Sequence, residues 1–373
     1  MERGDERERI PALEGAMGRI AVLIYLIFLL ISDSSSFSQT LDASPIKYTK
    51  IKTILGYDGD ITSVSFSPGG NMMATGVHGR KIYIWDVQSW QITSVLEAED
   101  DVSTITFSPD GKSFVAGDIR GKVYVWGTAG WKRAILSICK WVGPLSYLPP
   151  PANLIGIRGH INTVTFNPGG NLLAVACNQQ TVLWDIQNGK LHRKFGGHKG
   201  DVLKMVFSPD GKRISTGSDD NTVIIWDIGS GNQVNVLTGH TNNVQALVYS
   251  PDGNYLISGA NDNVIIVWNA KTGEFIRSLK NHKEGICHLM YVPGTNILLS
   301  ADCMMTLPRV FAMSDRKSIR GCNTIFWDVE KAQPIRSMES DCALTGIAFS
   351  PDSRYLVAAH PSGGRFITVF ERK

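Results

Sequence analysis

Residues 197–227 read GHKGDVLKMVFSPDGKRISTGSDDNTVIIWD, and residues 239–269 read GHTNNVQALVYSPDGNYLISGANDNVIIVWN. The second stretch is the first rewritten about 42 residues on: His198 recurs as His240, Phe207 as Tyr249, Ser208-Pro-Asp-Gly211 as Ser250-Pro-Asp-Gly253, and Trp226 as Trp268. Within one copy, the apolar-rich run 202–207 is stopped by a Pro-Asp-Gly turn signal, and runs 213–216 and 222–226 follow on either side of Gly-Ser-Asp-Asp-Asn. A weaker run, 233–237, leads into the next Gly-His. Each copy is therefore expected to be four short strands joined by tight turns. One such sheet cannot bury its faces alone, so a core requires stacking of neighbouring copies about an axis.

Further copies lie along the chain. They carry Phe66-Ser-Pro-Gly-Gly70 with Trp85-Asp86, Phe107-Ser-Pro-Asp-Gly111 with Trp126-Gly127, and Phe166-Asn-Pro-Gly-Gly170 with Trp184-Asp185. After the paired copies come Tyr291-Val-Pro-Gly294 with Trp327-Asp328, then Phe349-Ser-Pro-Asp352 with Phe370 in the tryptophan's place. A period in the low forties, opened by Gly-His and closed by Trp-Asp or Trp-Asn, resembles the WD40 family of β-propellers. The resemblance covers nearly all of residues 47–373 and implies an all-β fold, a seven-bladed propeller of four-stranded antiparallel blades. The seventh copy stops at its third strand. Residues 48–55 read as a strand that precedes Gly56-Tyr57 as 234–237 precede Gly239-His240, so this N-terminal strand is expected to complete the last blade and close the ring.

The resemblance also implies a hydrogen-bonded relay inside a blade, formed by the histidine of Gly-His, a Ser or Thr of the second strand, an Asp of the next turn and the Trp. That set maps onto His198, Thr216, Asp220 and Trp226, and onto His240, Ser258, Asp262 and Trp268. A Ser-His-Asp grouping suggests a hydrolase triad, but its repetition at blade spacing assigns these histidines to the scaffold, and no catalytic residue is expected. Blades 4 and 5 should then be the most rigid. Elsewhere Tyr57, Ala98 and Ser340 replace the histidine, and Gly79, Arg120 and Gly321 occupy the turn position of the Asp. His160 lies about three residues too close to Phe166 to enter a relay.

Charged residues are 19% of the chain and the net charge is +3, too weak a field to indicate nucleic acid or a membrane surface. Residues 20–31 are an unbroken apolar run, short for a membrane span and of the length of a secretory signal core. Ser36 and Ser38 suit cleavage before Gln39. The expected organisation is a leader over 1–38, a linker over 39–46 and the propeller over 47–373, the whole being an exported, bacterial-type member of the family, periplasmic, cell-surface or extracellular. The acidic residues 1–16 are unusual in a leader, which makes Met17 an alternative start; an uncleaved leader would instead anchor the ring to a membrane.

Spacing locates two insertions of about 17 residues each, at 139–156 between blades 2 and 3 and at 303–322 between the second and third strands of blade 6. In an up-and-down blade both links emerge at one end of the ring. Long loops on a rigid scaffold carry binding, and Trp141, Tyr147, Leu148, Arg309, Phe311, Arg316 and Arg320 are the candidate partner-contacting residues. Cys303 and Cys322 bracket the second insertion and are a candidate disulfide; Cys287 and Cys342 form a weaker pair, and Cys139 and Cys177 are read as free. No Cys-x-x-Cys, phosphate-cradling loop or nucleophile elbow indicates a metal, a cofactor or an enzyme. The reading is a non-enzymatic scaffold for a protein or peptide. Its alternative is an enzyme or small-ligand binder using the central channel, against which the innermost runs 64–66, 104–106, 164–166 and 245–247, mostly small or apolar, weigh.

Overall fold

Each apolar run becomes one strand because the residues between the runs are committed to turning. In the turn at 208–213, Ser208 Oγ donates to Asp210 Oδ1 (2.6 Å) and the Arg213 N–H donates back to Ser208 Oγ (2.9 Å). Gly211 completes it with φ of +69°, a conformation that costs a glycine nothing. The same pair of bonds recurs at 108–113, 250–255 and 350–355. A computed structural model describes residues 39–40, 46–136, 160–302, 322–340, 344–360 and 365–373. Their strands form seven antiparallel sheets, the blades of a seven-bladed propeller, and the described residues include no helix.

Blades 1 to 5 occupy residues 61–97, 102–136, 161–196, 202–238 and 244–279, blade 6 occupies 286–340, and blade 7 combines 346–372 with Tyr48–Ile54. Strands pair in chain order within blades 1 to 6, so the first strand of each sheet is its inner edge and the fourth lies on the outside. From blade 7 through blade 1 and on to blade 6, first strands of successive blades pack on one another around the channel. The core is accordingly divided into layers between blades. Ala74 and Ile84 of blade 1 meet Val102 and Ile105 of blade 2, and Val223 and Ile225 of blade 4 meet Val244 and Leu247 of blade 5. Each such Val, Ile or Leu side chain contributes about 1.5–3 kcal/mol by leaving water. Gly217 permits one of these approaches, since a Cβ there would fall 2.7 Å from Val244 Cγ1.

The ring closes as its missing seventh-blade strand requires. Tyr48–Ile54 pairs antiparallel with Phe366–Arg372, from Tyr48 opposite Arg372 to Ile54 opposite Ile367. Tyr48 is anchored at one end: its buried hydroxyl donates to the Ser353 carbonyl at 2.6 Å, and burial pushes the phenol up to about 12, so it stays a donor. Buried Arg336 of blade 6 donates to the Ile46 carbonyl at 3.1 Å, and the Lys373 N–H to the Lys47 carbonyl at 2.8 Å. Beyond this, Ile54 and Ile61 share one apolar cluster with Val357 and Ile367, which joins blade 7 to blade 1.

Residues 39–46 are not wholly a linker. Gln39–Thr40 pairs with the outer strand of blade 6, opposite Met338 and Ser337, and makes that sheet five-stranded. Antiparallel alternation also puts the strand ends Leu136, Ile161, Asp302 and Cys322 at one end of the ring. These are the ends that flank the two insertions.

If the closing strand is structural in this way, Arg336→Ala lowers unfolding stability by about 2 kcal/mol, through the lost charged hydrogen bond to Ile46, and Tyr48→Phe by about 1 kcal/mol. Urea unfolding should show both as a lower midpoint with an unchanged slope.

Candidate functional site

Both expected relays are present, and they share one construction. In blade 4 the Asp220 carboxylate accepts from His198 Nδ1 (2.9 Å) and from the backbone N–H of Lys199 (2.8 Å). Because the carboxylate accepts, Nδ1 carries the hydrogen and Nε2 is left to accept from the Thr216 hydroxyl (2.7 Å), which in turn accepts from Trp226 Nε1 at 2.9 Å. Blade 5 repeats the distances: His240 to Asp262 2.9 Å, His240 to Ser258 2.7 Å, Trp268 to Ser258 2.8 Å. The His198 and His240 side chains are each 1% exposed. A group so enclosed meets no substrate, and the relays tie the first-strand entry, the second and third strands and the intervening turn of a blade together.

Blade 6 holds a third relay that spacing did not reveal. His282 Nδ1 meets Asp302 Oδ2 at 2.9 Å, His282 Nε2 meets Ser300 Oγ at 2.6 Å, and Trp327 Nε1 donates to Ser300 Oγ at 2.7 Å. Its carboxylate comes from the last residue of the second strand, two positions after the serine, whereas Asp220 stands four after Thr216 in the turn. Gly321 in the turn position is therefore no loss. The signal available was His282 followed by Ser300-Ala-Asp302.

The remaining blades show what each substitution does. Blade 1 keeps the bond from Trp85 Nε1 to Thr75 Oγ1 (3.1 Å), while Tyr57, in the histidine's place, packs edge-on against Tyr83. Blade 2 has Ala98 and Ala116 at the histidine and hydroxyl places. There buried Asp118 accepts from Tyr124 at 2.8 Å, and Tyr124 stacks on Trp126. In blade 3, Val175 stands at the hydroxyl position and Trp184 Nε1 is buried without a partner among the described residues. His160 is exposed and bonds Asn162 (2.7 Å), outside any relay. Blade 7 has Ala358 at the hydroxyl place and Phe370 at the tryptophan place, so no relay forms.

The partner-contacting candidates Trp141, Tyr147, Leu148, Arg309, Phe311, Arg316 and Arg320 lie outside the described residues, as does Cys303. The cysteine assignment shifts. Among the described residues the disulfide-bonded cysteines are Cys177, read from sequence as free, and Cys287, read as the weaker pair. Cys322 is buried where its strand begins. The described residues contain no cluster of metal-ligating side chains and no helix long and apolar enough to cross a membrane.

Two ionisable residues of the first strands were not weighed when the innermost runs were characterised. Lys204 and His288 are on the first strands of blades 4 and 6, whereas the runs used to characterise the channel came from blades 1, 2, 3 and 5.

Comparison with known proteins agrees with this geometry. A model of the family described as "WD domain, G-beta repeat" matches residues 48–86, 90–127, 152–185, 189–227 and 231–269, about half of the chain. The first matched segment begins at Tyr48, so the repeating unit is staggered by one strand from the blade, as ring closure requires. The chain is similar to an uncharacterized WD repeat-containing protein of Schizosaccharomyces pombe, 41% identical over 15% of this chain and 14% of that one. It is also similar to a guanine nucleotide-binding protein subunit beta of Oryza sativa subsp. indica, 44% over 13% of each. A eukaryotic translation initiation factor 3 subunit I of Pyricularia oryzae matches at 35% over 20% of this chain and 22% of that one. The matched stretches thus span under a quarter of these relatives' length.

Removing the shared hydroxyl tests the relays. Thr216→Val leaves the Trp226 N–H and the His198 ring without it at nearly constant volume and should cost about 1–3 kcal/mol. Ser300→Ala should cost a similar amount, and because blades 4 and 6 are not adjacent the double variant should be additive within about 0.5 kcal/mol by chemical denaturation.

Acid should also weaken the ring. Burial holds His240 below its ordinary 6.5, outweighing the Asp262 charge and hydrogen bond that pull it up, so the unfolded chain binds a proton that the folded ring refuses. This contribution is complete above about pH 6.5 and declines as pH falls below it. Asp220 responds later: burial raises it, but hydrogen bonds from Thr222 and Lys199 and the His198 interaction outweigh burial and bring it to about 2. Its contribution is present above the ordinary 3.8 and is lost as pH falls towards 2. Denaturant midpoints measured from pH 7.5 down to 3 should therefore begin to drop near pH 6.5 and fall further below pH 4.

Proposed function

This chain belongs to the WD40-repeat family, and we propose that its ring is a non-enzymatic scaffold that presents a loop-bearing end to a protein or peptide partner. The observation that carries the reading is positional. The two stretches that break an otherwise even repeat join strand ends lying at the same end of the ring, Leu136 to Ile161 and Asp302 to Cys322. A rigid sheet scaffold on which long aromatic and basic segments are rooted at one end suits a contact surface. Two relatives are named as subunits, the guanine nucleotide-binding protein subunit beta and the initiation factor 3 subunit I, and a part in an assembly is consistent with the reading. The enclosed histidines give hydrolysis no support.

We further propose that the apolar run 20–31 directs export, with the protein released by cleavage before Gln39, so that the partner is met in the envelope or outside the cell. Residues 20–31 lie outside the described residues.

A capture experiment tests both proposals. The chain is expressed with its leader, recovered from the envelope and secreted fractions, and compared with a variant in which 139–156 and 303–321 are each replaced by a short Asp-Gly turn. The intact protein should retain a partner that the trimmed one loses, and its mass should place the first residue at Gln39. Equal capture by the two would put the contact elsewhere on the ring; recovery only inside the cell, unprocessed, would refute export.

A further inference from the structure

One seam of the ring is built differently from the rest. Among the described residues, the first strands of blades 6 and 7, Ile286–Tyr291 and Gly346–Phe349, are the successive pair that scarcely touch. This is also the seam that the N-terminal strand enters to close the ring. The contacts that strand makes with blade 6 lie further out: Tyr48 stacks on Phe326 at 6.3 Å, and Arg336 donates to the Ile46 carbonyl.

Two other seams are bridged by the side chain of the bulge near the start of a first strand. Ser103, the extra residue between Val102 and Thr104, donates to the Ile161 carbonyl of blade 3 at 2.6 Å, and Asn162, in the same place in blade 3, donates to the Val202 carbonyl of blade 4 at 2.8 Å. The bulge side chain thus faces the first residue of the next inner strand. In blade 6 the bulge residue is Cys287, between Ile286 and His288, and it is disulfide-bonded. Its counterpart in blade 7 is Thr345, whose hydroxyl lies 3.4 Å from the Ala359 carbonyl as that of Ser103 lies 3.0 Å from the Gly117 carbonyl. Cys287 is therefore aimed at Leu344, the residue before Thr345. The ring of neighbouring His288 is hydrogen-bonded to the Leu344 backbone, so this part of blade 6 does face that residue.

A disulfide needs Cα atoms about 4.4–6.8 Å apart. Cys177 belongs to the layer between blades 2 and 3, and Cys139 follows by three residues Leu136, which packs on that layer, so both are remote from Cys287 around the ring. Cys322 begins the third strand of blade 6, with the second strand between it and the first, a separation of about 10 Å. Cys342 lies outside the described residues but stands two positions before Leu344, and two residues span at most about 7 Å.

We propose that Cys287 and Cys342 are joined as a redox-sensitive clasp across the seam where the ring closes. Forming it removes two protons and two electrons from the two thiols, while an incoming disulfide of the glutathione class is reduced to two thiols. The bond does at this seam what strand packing does at the others, and a dithiol reductant undoes it, releasing the inner edge of blade 7 at the end of the ring that carries the insertions. The clasp is read on the purified chain, so it stands or falls apart from export and from the loop-bearing contact surface.

The test uses the intact purified chain, oxidised with glutathione disulfide and digested without reduction by chymotrypsin, which cuts after Tyr291, Phe311 and Trp327 and so puts Cys287, Cys303, Cys322 and Cys342 on separate peptides. Mass spectrometry should find Cys287 linked to Cys342. Amide exchange then compares the oxidised chain with the reduced chain and with Cys342→Ser. Breaking the link should speed exchange in Gly346–Phe349 by at least about tenfold and leave Val244–Tyr249 of blade 5 unchanged, and in Cys342→Ser reductant should have no further effect on blade 7. The peptide map of the parent chain carries the test should the variant not fold. The proposal is overturned if Cys287 is linked to Cys303 or to another cysteine, if its thiol is recovered unlinked, or if breaking the link leaves the exchange of Gly346–Phe349 as it was.

Discussion

Seven sheets, none able to bury a face alone, depend on a ring that has no open side, and in this chain the closing element is the pairing of Tyr48–Ile54 with Phe366–Arg372. The two segments are joined by the whole length of the propeller, so their contact holds together what local turns cannot. Around it the structure concentrates polar bonds, the buried ones from Tyr48 to Ser353 and from Arg336 to Ile46 and an exposed one from Lys373 to Lys47. These satisfy the edge of the strand where it enters the ring, and the cluster joining Ile54 and Ile61 to Val357 and Ile367 seals the layer behind it. Without closure, blade 7 would present an unpaired edge, which invites association with other chains.

Within the closed ring the relays are unevenly distributed, and the hydroxyl of the second strand decides where they form. Thr216, Ser258 and Ser300 each join a histidine to a tryptophan, so blades 4, 5 and 6 form a continuous arc of relays. Where an apolar residue takes the hydroxyl's place the consequence follows directly. Val175 leaves Trp184 without an acceptor among the described residues, and Ala116 is accompanied by a different network built on Asp118 and Tyr124. The second insertion interrupts blade 6 between its second and third strands, directly after Asp302, which anchors His282 and also accepts from the Asn323 N–H across the break at 2.5 Å. The relay thus holds both roots of that insertion.

The fold was legible because its information is repeated: the turn Ser-Pro-Asp-Gly, the closing Trp-Asp and the spacing between them recur often enough that blade count and closure follow from arithmetic. The relays of blades 4 and 5 were legible for the same reason. Asp302 was not, since an insertion had displaced the turn in which its counterpart was sought, and a residue at a strand end reads as part of the strand. Lys204 and His288 escaped for the opposite reason. They interrupt a tier that is hydroxyl or small in every other blade, and only the register brings that tier together from residues far apart in sequence. The cysteines show the limit of spacing: Cys177, read as free, is bonded, as is Cys287 of the weaker expected pair, and both sit near strand ends whose proximity to other segments depends on ring geometry, while the expected pairing of Cys303 with Cys322 falls partly outside the described residues.

The scaffold reading presupposes that the ring is closed by its N-terminal strand. Amide hydrogen exchange of the intact chain tests this most directly. The account predicts that the bonded amides of Tyr48–Ile54 exchange as slowly as those of the outer strand Gln233–Thr238, and that the relay-bearing third strands Thr222–Asp227, Ile265–Asn269 and Cys322–Asp328 are slower than both. If Tyr48–Ile54 exchanges at the rate of an unstructured chain while the other blades remain protected, blade 7 has only three strands and the ring is open.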